Sequence, residues 1–174
     1  MFDNMIHIAK IEFAQPLNTL EISTDIYISG CKRSPHCFDC HNPSLWEQKP
    51  EQLMSFDDVI TNLKRDKLST VICFLGGEPL DSDNFEELLT LIKKEIKKKI
   101  MVYTGRTIDQ VPNFMFKLCD IMKTGPYMKR LQEPQQDKVY PSLASENQQI
   151  WKKIKNKYWY LIYPEPRSCF DEIL

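Results

Sequence analysis

The sequence predicts an α/β fold with a parallel sheet, and three observations predict it. Short apolar, often β-branched runs recur along the 174 residues. Stretches with helical periodicity separate them, which is the order of βαβ units. Most of the runs stop at a glycine turn, as strands feeding a crossover do.

In order, Leu20–Ser29 largely alternates apolar and polar residues and reads as a strand ending at Gly30-Cys31. A mostly polar loop, Cys31–Pro50, follows. Ser55 then predicts a helix N-cap with Asp58 at the third position, and Val59, Ile60 and Leu63 are its buried stripe. Thr70–Leu75 reads as a buried parallel strand that stops at Gly76-Gly77-Glu78-Pro79. Phe85, Leu88, Leu89 and Ile92 have the i, i+3, i+4, i+7 spacing of an amphipathic helix. Ile100–Tyr103 is the next strand, stopped by Thr104-Gly105, and Ile108–Leu118 reads as a helix with Pro112 near its start. Cys119–Met122 is a fourth strand, Gln132–Asn147 a polar loop and Tyr158–Tyr163 a final aromatic strand, either core or a partner-facing edge.

In parallel sheets the ligand site lies at the carboxyl ends of the strands. Cys31, the Gly76-Gly77-Glu78 turn, Thr104-Gly105 and Lys123-Thr124 all fall just past such ends, so these four segments are expected on one edge.

Length and composition suit one domain over residues 1–174, with 42% hydrophobic and 27% charged residues. The formal net charge of -1 does not favour nucleic acid or an anionic membrane. The lysine-rich run Lys93–Lys99 reads as the solvated end of a helix, because no aromatic residues flank it to stack bases. Met1–Glu12 has no continuous apolar core, and no stretch approaches a membrane span. A cytoplasmic location is therefore expected.

Three of the six cysteines crowd into ten residues, as Cys31-x5-Cys37-x2-Cys40. Clustered cysteines in a reducing compartment point to metal rather than to disulfides. Three thiolates on one loop suit a cubane iron–sulfur cluster with one iron left without a protein ligand. Cys73 and Cys119 lie in expected strands and read as core, while Cys169 lies near the terminus. A zinc site of three cysteines with His36 or His41 is the rival, and spacing alone does not separate the two.

Further motifs surround the cluster. Cys40-His41-Asn42-Pro43 is followed by Trp46, then by Leu75-Gly76-Gly77-Glu78-Pro79-Leu80, Tyr103-Thr104-Gly105-Arg106, Asp120–Tyr127 and Ser145-Glu146-Asn147-Gln148. In these pieces and their order the chain resembles the radical S-adenosylmethionine enzymes. It most resembles the activating proteins of anaerobic ribonucleoside-triphosphate reductase. Two departures stand out: the family's usual cysteine spacing is three then two, and Lys123-Thr124-Gly125-Pro126-Tyr127 replaces its usual Val-Asp-Gly-Pro-Phe.

The resemblance implies an incomplete, TIM-like barrel of βα units in which Cys31, Cys37 and Cys40 ligate a 4Fe–4S cluster that cleaves S-adenosylmethionine reductively. Gly76, Gly77, Glu78 and Pro79 would meet the methionine ammonium group. Asp39, Cys40 and His41 would run along the adenosine, Thr104 would reach carboxylate or ribose, and Lys123 would pair with the carboxylate. Asn147 would order a late loop, and Trp46 would anchor the cluster loop by packing. The implied function is hydrogen abstraction from a glycine of a glycyl-radical enzyme, with the anaerobic ribonucleotide reductase large subunit as partner and a flavodoxin or ferredoxin-type electron donor. The alternatives are a radical enzyme acting on a small molecule, like the compact deazaguanine synthases, and a non-catalytic zinc or iron–sulfur module.

Overall fold

In the computed structural model, which describes residues 4–16, 21–132, 143–155 and 157–163, four parallel strands form the centre of an eight-stranded sheet. They are β2 (Ile22–Ile28), β4 (Val71–Gly76), β5 (Lys99–Tyr103) and β6 (Ile121–Thr124). On one side lie β1 (Met5–Pro16) and β3 (Leu53–Ser55), and on the other β7 (Gln149–Ile154) and β8 (Tyr158–Tyr163). The order is β3-β1-β2-β4-β5-β6-β7-β8, and the flanking strands pair antiparallel.

The expected parallel sheet is therefore confined to the centre, and the whole is a mixed α/β sheet. Connection length is the reason for two of the antiparallel pairs, β1 with β2 and β7 with β8. A parallel return needs a crossover of a dozen or more residues. The links from β1 to β2 and from β7 to β8 are far shorter, and they close hairpin-like pairs. β1 carries a period-two signal, with Ile6 and Ile8 buried. β7 is masked in the sequence by Lys152 and Lys153, and its one fully buried residue is Ile150.

The helices cover one face of the sheet. α1 (Phe56–Arg65) starts as expected: Ser55 Oγ accepts from the Asp58 N–H at 3.1 Å and donates to Asp58 Oδ2 at 2.6 Å. Val59, Ile60 and Leu63 are buried with Phe56. α2 (Phe85–Glu95) buries Phe85, Leu88, Leu89 and Ile92. These side chains join Ile26, Ile28, Ile72, Phe74, Ile100, Val102 and Met122 in the main core. Each such burial contributes about 1.5–3 kcal/mol. The opposite face holds a smaller core of Val71, Cys73, Met101, Ile121, Leu143 and Ile150.

Three expectations shift. The helix expected over Ile108–Leu118 is broken into a single 3-10 turn, Ile108–Gln110, and a short α3, Asn113–Leu118. Pro112 between them is extended and has no N–H to continue a helix. The strand expected at Cys119 begins two residues later, because Cys119 ends α3 and is fully buried beside Met115. The lysine run is the solvated end of a helix only at Lys93 and Lys94, which close α2; beyond it Lys98 turns back to Asp66 and Lys99 opens β5. Residues 133–142 of the expected polar loop, and Cys169, lie outside the described residues.

Asp66 ties these layers together just past α1. Thr24 Oγ1 of β2 donates to it, as do the Leu68 and Ser69 N–H groups at 3.0 and 3.2 Å, and Lys98 Nζ pairs with it at 3.3 Å. Burial raises its pKa, but the hydrogen bonds outweigh that and hold the carboxyl well below the usual range. Folding therefore favours the ionised form, and its contribution is lost as pH falls below the unfolded value of about 3.9. Asp66→Asn should lower unfolding free energy at pH 7 by about 1–3 kcal/mol in urea titrations. It should also flatten the stability loss that the unsubstituted protein shows below pH ~4.

Candidate functional site

The strand ends converge because β2 and β4 are locked together past their last residues. The Gly77 N–H donates to the Ile28 carbonyl at 2.8 Å, and the Glu78 N–H donates to the Gly30 carbonyl at 2.8 Å. This close approach requires glycine. A Cβ on Gly76, which has φ +114°, would lie 2.5 Å from the Ile28 oxygen, and one on Gly77 would enter the Gly30 and Leu45 carbonyls. The cysteine loop is fixed to the same edge, since Gly30 and Cys31 donate to the carbonyls of Leu45 and Trp46 at 2.9 and 3.0 Å.

Glu78 then links β4 to β5. Its carboxylate accepts from Thr104 Oγ1 at 2.8 Å, the Gly105 N–H at 2.7 Å and the Leu80 N–H at 3.2 Å. Burial pushes its carboxyl pKa up, against those donors. Thr104 is also fully engaged: its Oγ1 accepts from the Arg106 N–H at 3.1 Å, and its own N–H reaches the Lys123 carbonyl on β6 at 2.9 Å. Glu78 and Thr104 are thus first a clamp across strand ends, and both side chains also line the cavity that results.

That cavity has a volume of about 250 Å³. Cys31, Cys37, Cys40 and His41 line it, with Gly76, Gly77, Glu78, Thr104, Gly105 and Lys123. All four segments expected on one edge meet there, with Gly125 rather than Thr124 beside Lys123. Asp39 does not line it. It is exposed with φ 58°, and the hydrogen bond and charge of Lys129, 2.7 Å away, hold its carboxyl below its usual range. Pro79 is buried in the 3-10 turn that follows Glu78 and is not part of the lining. Asn147 does not line the cavity either; its Nδ2 donates to the Pro126 carbonyl at 2.7 Å, ordering the loop as expected, and Gln148 reaches the cavity instead.

The three thiols are free and half-buried, and burial pushes the Cys31 thiol up. The Asn42 N–H donates to Cys40 Sγ at 3.4 Å. Among the described residues no three His, Cys, Asp or Glu side chains converge as tightly as one metal ion requires. Zinc needs four ligands within about 2.0–2.3 Å of a point. A cubane cluster takes each thiolate on a different iron, and the three free thiols on this cavity wall offer three such ligands. His36 stacks on Trp46 at 4.1 Å and its Nε2 sits 3.1 Å from the Cys31 carbonyl, while His41 packs its ring on Tyr127. Cys73 and Cys119 are fully buried and do not line the cavity.

Arg33 and Tyr103 are among the lining residues to which the sequence reading gave no role. Arg33 comes from the lengthened cysteine loop, and its Nη2 donates to the Gly105 carbonyl at 2.6 Å. Tyr103 ends β5, and the Lys123 Nζ lies 4.8 Å from its ring centroid. The spacing signal that marks thiols and glycine turns carries no information about which loop residue turns inward.

The cavity brings three free thiols of one loop beside a glycine turn. Residues 22–151 match the 4Fe-4S single cluster domain family, and the chain belongs to that family. Among solved structures the fold is similar to QueE from Escherichia coli, with a TM-score of 0.50 and 18% identity over 59% of this chain. The alignment covers 53% of QueE, so the chain spans about half of that relative's length. No curated protein matches. No helix among the described residues is long and apolar enough to cross a membrane.

Lys123 is buried and, among the described residues, belongs to none of the ion pairs. Burial lowers its pKa to about 8. The folded chain thus disfavours the charged form, and the penalty is relieved as pH rises from about 8 towards the unfolded value near 10.4. Lys123→Met should stabilise the ligand-free protein at pH 7 by roughly 2–3 kcal/mol, and should abolish the gain in stability between pH ~8 and ~10. Chemical denaturation across that range measures both.

Proposed function

We propose that the chain is a radical S-adenosylmethionine enzyme. The observation that carries this reading is the meeting of three free thiols and the Gly76-Gly77-Glu78 turn on one cavity. Cys31, Cys37 and Cys40 would hold the cluster. When bound, a 4Fe–4S cluster with one iron free of protein ligands supplies the electron that splits S-adenosylmethionine into methionine and a 5′-deoxyadenosyl radical.

The chain's own residues bind, orient and shield. Carbonyls of the glycine turn accept from the methionine ammonium group, and the carboxylate of Glu78 stands behind it as a fixed negative charge. His41, packed on Tyr127, forms the wall beside Cys40 along which the adenosine lies. Lys123 offers a buried cation to an anionic group of the bound molecules. Fixing the sulfonium near the cluster and excluding water are the protein's contributions to rate and fidelity. On this reading the four parallel strands are the βα units of an incomplete barrel.

Two substrates divide the reading. The fold likeness to QueE favours a small molecule, in the manner of the deazaguanine-synthase-like alternative. The Cys40-His41-Asn42-Pro43 stretch with Trp46 favours a glycine of a partner glycyl-radical enzyme, the anaerobic ribonucleotide reductase above all. A flavodoxin or ferredoxin-type protein would deliver the electron in either case. A glycyl-radical signal raised on a candidate reductase would select the partner reading; 5′-deoxyadenosine formed with a small substrate and no such signal would select the other.

Anaerobic reconstitution should give about four irons per chain, and reductant with S-adenosylmethionine should give 5′-deoxyadenosine. Cys37→Ala should remain soluble and form none. Product from that variant at the unsubstituted rate, or stoichiometric zinc without iron, would refute the reading.

A further inference from the structure

The loop Lys32–His36, two residues longer than the resembling family's, is not slack. The Lys32 N–H donates to Asp81 Oδ2 at 2.6 Å, and its Nζ pairs with Asp83 at 3.2 Å. At the far end His36 is stacked on Trp46. Between these anchors Arg33 turns inward and crosses to the end of β5, where it donates one hydrogen bond to the Gly105 carbonyl. The guanidinium has five N–H donors, and the Gly105 carbonyl is its one hydrogen-bond partner among the described residues. The loop thus straps a half-buried cation over the cavity.

The charge is unmatched there. Every ion pair formed among the described residues uses other cations: Lys10, Lys32, Lys64, Lys93, Lys98, Lys99, Arg106 and Lys129. The carboxylate across Gly105 is that of Glu78, which already accepts from three other donors and forms no ion pair with Arg33 among the described residues. A guanidinium held in this way suits a carboxylate, which it can meet with two parallel N–H groups.

Position narrows the choice. The inference rests on the reading that the glycine turn at the end of β4 takes the methionine ammonium group. Ammonium and carboxylate of that amino acid sit on the same carbon, so the carboxylate must fall within a strand's width of the turn, about 4.8 Å. β5 is the neighbour of β4, and Arg33 is tied to its end. Lys123 is rooted one strand further away, on β6. We propose that Arg33 is a cofactor-binding residue that grips the carboxylate of S-adenosylmethionine, and that the lengthened cysteine loop exists to carry it over the cavity. Lys123 is then left for the substrate side of the site.

The test compares S-adenosylmethionine with its decarboxylated form, which keeps the ammonium and sulfonium but lacks the carboxylate. Binding is measured by anaerobic equilibrium dialysis on the reconstituted protein, alongside iron content and melting temperature. Arg33→Gln removes the charge and keeps an amide donor; Arg33→Lys keeps the charge and removes the fork. Arg33→Gln should weaken S-adenosylmethionine about 10- to 100-fold and leave the decarboxylated ligand within about twofold, and Arg33→Lys should recover part of the loss. Equal losses for both ligands, or none for either, in Arg33→Gln protein of normal iron content would overturn the proposal alone. Should Arg33→Gln fail to hold iron, Arg33→Lys carries the same comparison. Failure of the unsubstituted holoprotein to bind either ligand would overturn both this proposal and the radical-enzyme reading.

Discussion

A single buried carboxylate holds the edge on which everything else depends. Glu78 receives three donors from two different strand ends, and these offset part of the cost of taking its charge out of water. Without it the ends of β4 and β5 would have no shared anchor, and Thr104 and Gly105 would lose the contact that sets them beside the glycine turn. The interaction is possible because Gly76 and Gly77 let β4 run against Ile28 and Gly30, which brings the cysteine loop to the same place. Packing on the helical face supplies the stability, while this polar clamp supplies the geometry.

The parts of the fold with a strong local signal were legible in the sequence. Ser55 caps α1, the Phe85–Ile92 stripe is buried, and the four parallel strands lie where β-branched runs end in turns. The flanking strands were less legible. β7 shows lysines outward and one fully buried isoleucine, and the pairing of β1 depends on a short link whose geometry no periodicity reveals. Pro112 announced itself, but a proline near a helix start and one that splits a helix look alike until the φ and ψ of its neighbours are known.

At the site, the sequence marked which segments meet but not what each side chain does there. Thiols and glycines have narrow uses, so Cys31, Cys37, Cys40, Gly76 and Gly77 were readable from type and spacing. Glu78 and Thr104 were expected to address a cofactor, and the structure shows them addressing each other across the cavity wall. Asp39 sits between Cys37 and Cys40 in the chain and still faces solvent with Lys129. Arg33 carried no signal, because the direction in which a loop residue turns is decided by anchors such as Asp81 and Trp46 that are distant in sequence.

The resulting picture is a cavity with thiols on one wall, a glycine turn on the next, and two cations without carboxylate partners among the described residues. Such a cavity suits an amino acid whose head group is gripped beside a metal cluster. Electron paramagnetic resonance of the reconstituted, reduced protein tests this most directly. On the proposed function, addition of S-adenosylmethionine should change the g values of the cluster signal, because the amino acid would then meet the iron that no cysteine would hold. A cluster signal identical with and without S-adenosylmethionine at saturating concentration would contradict the account.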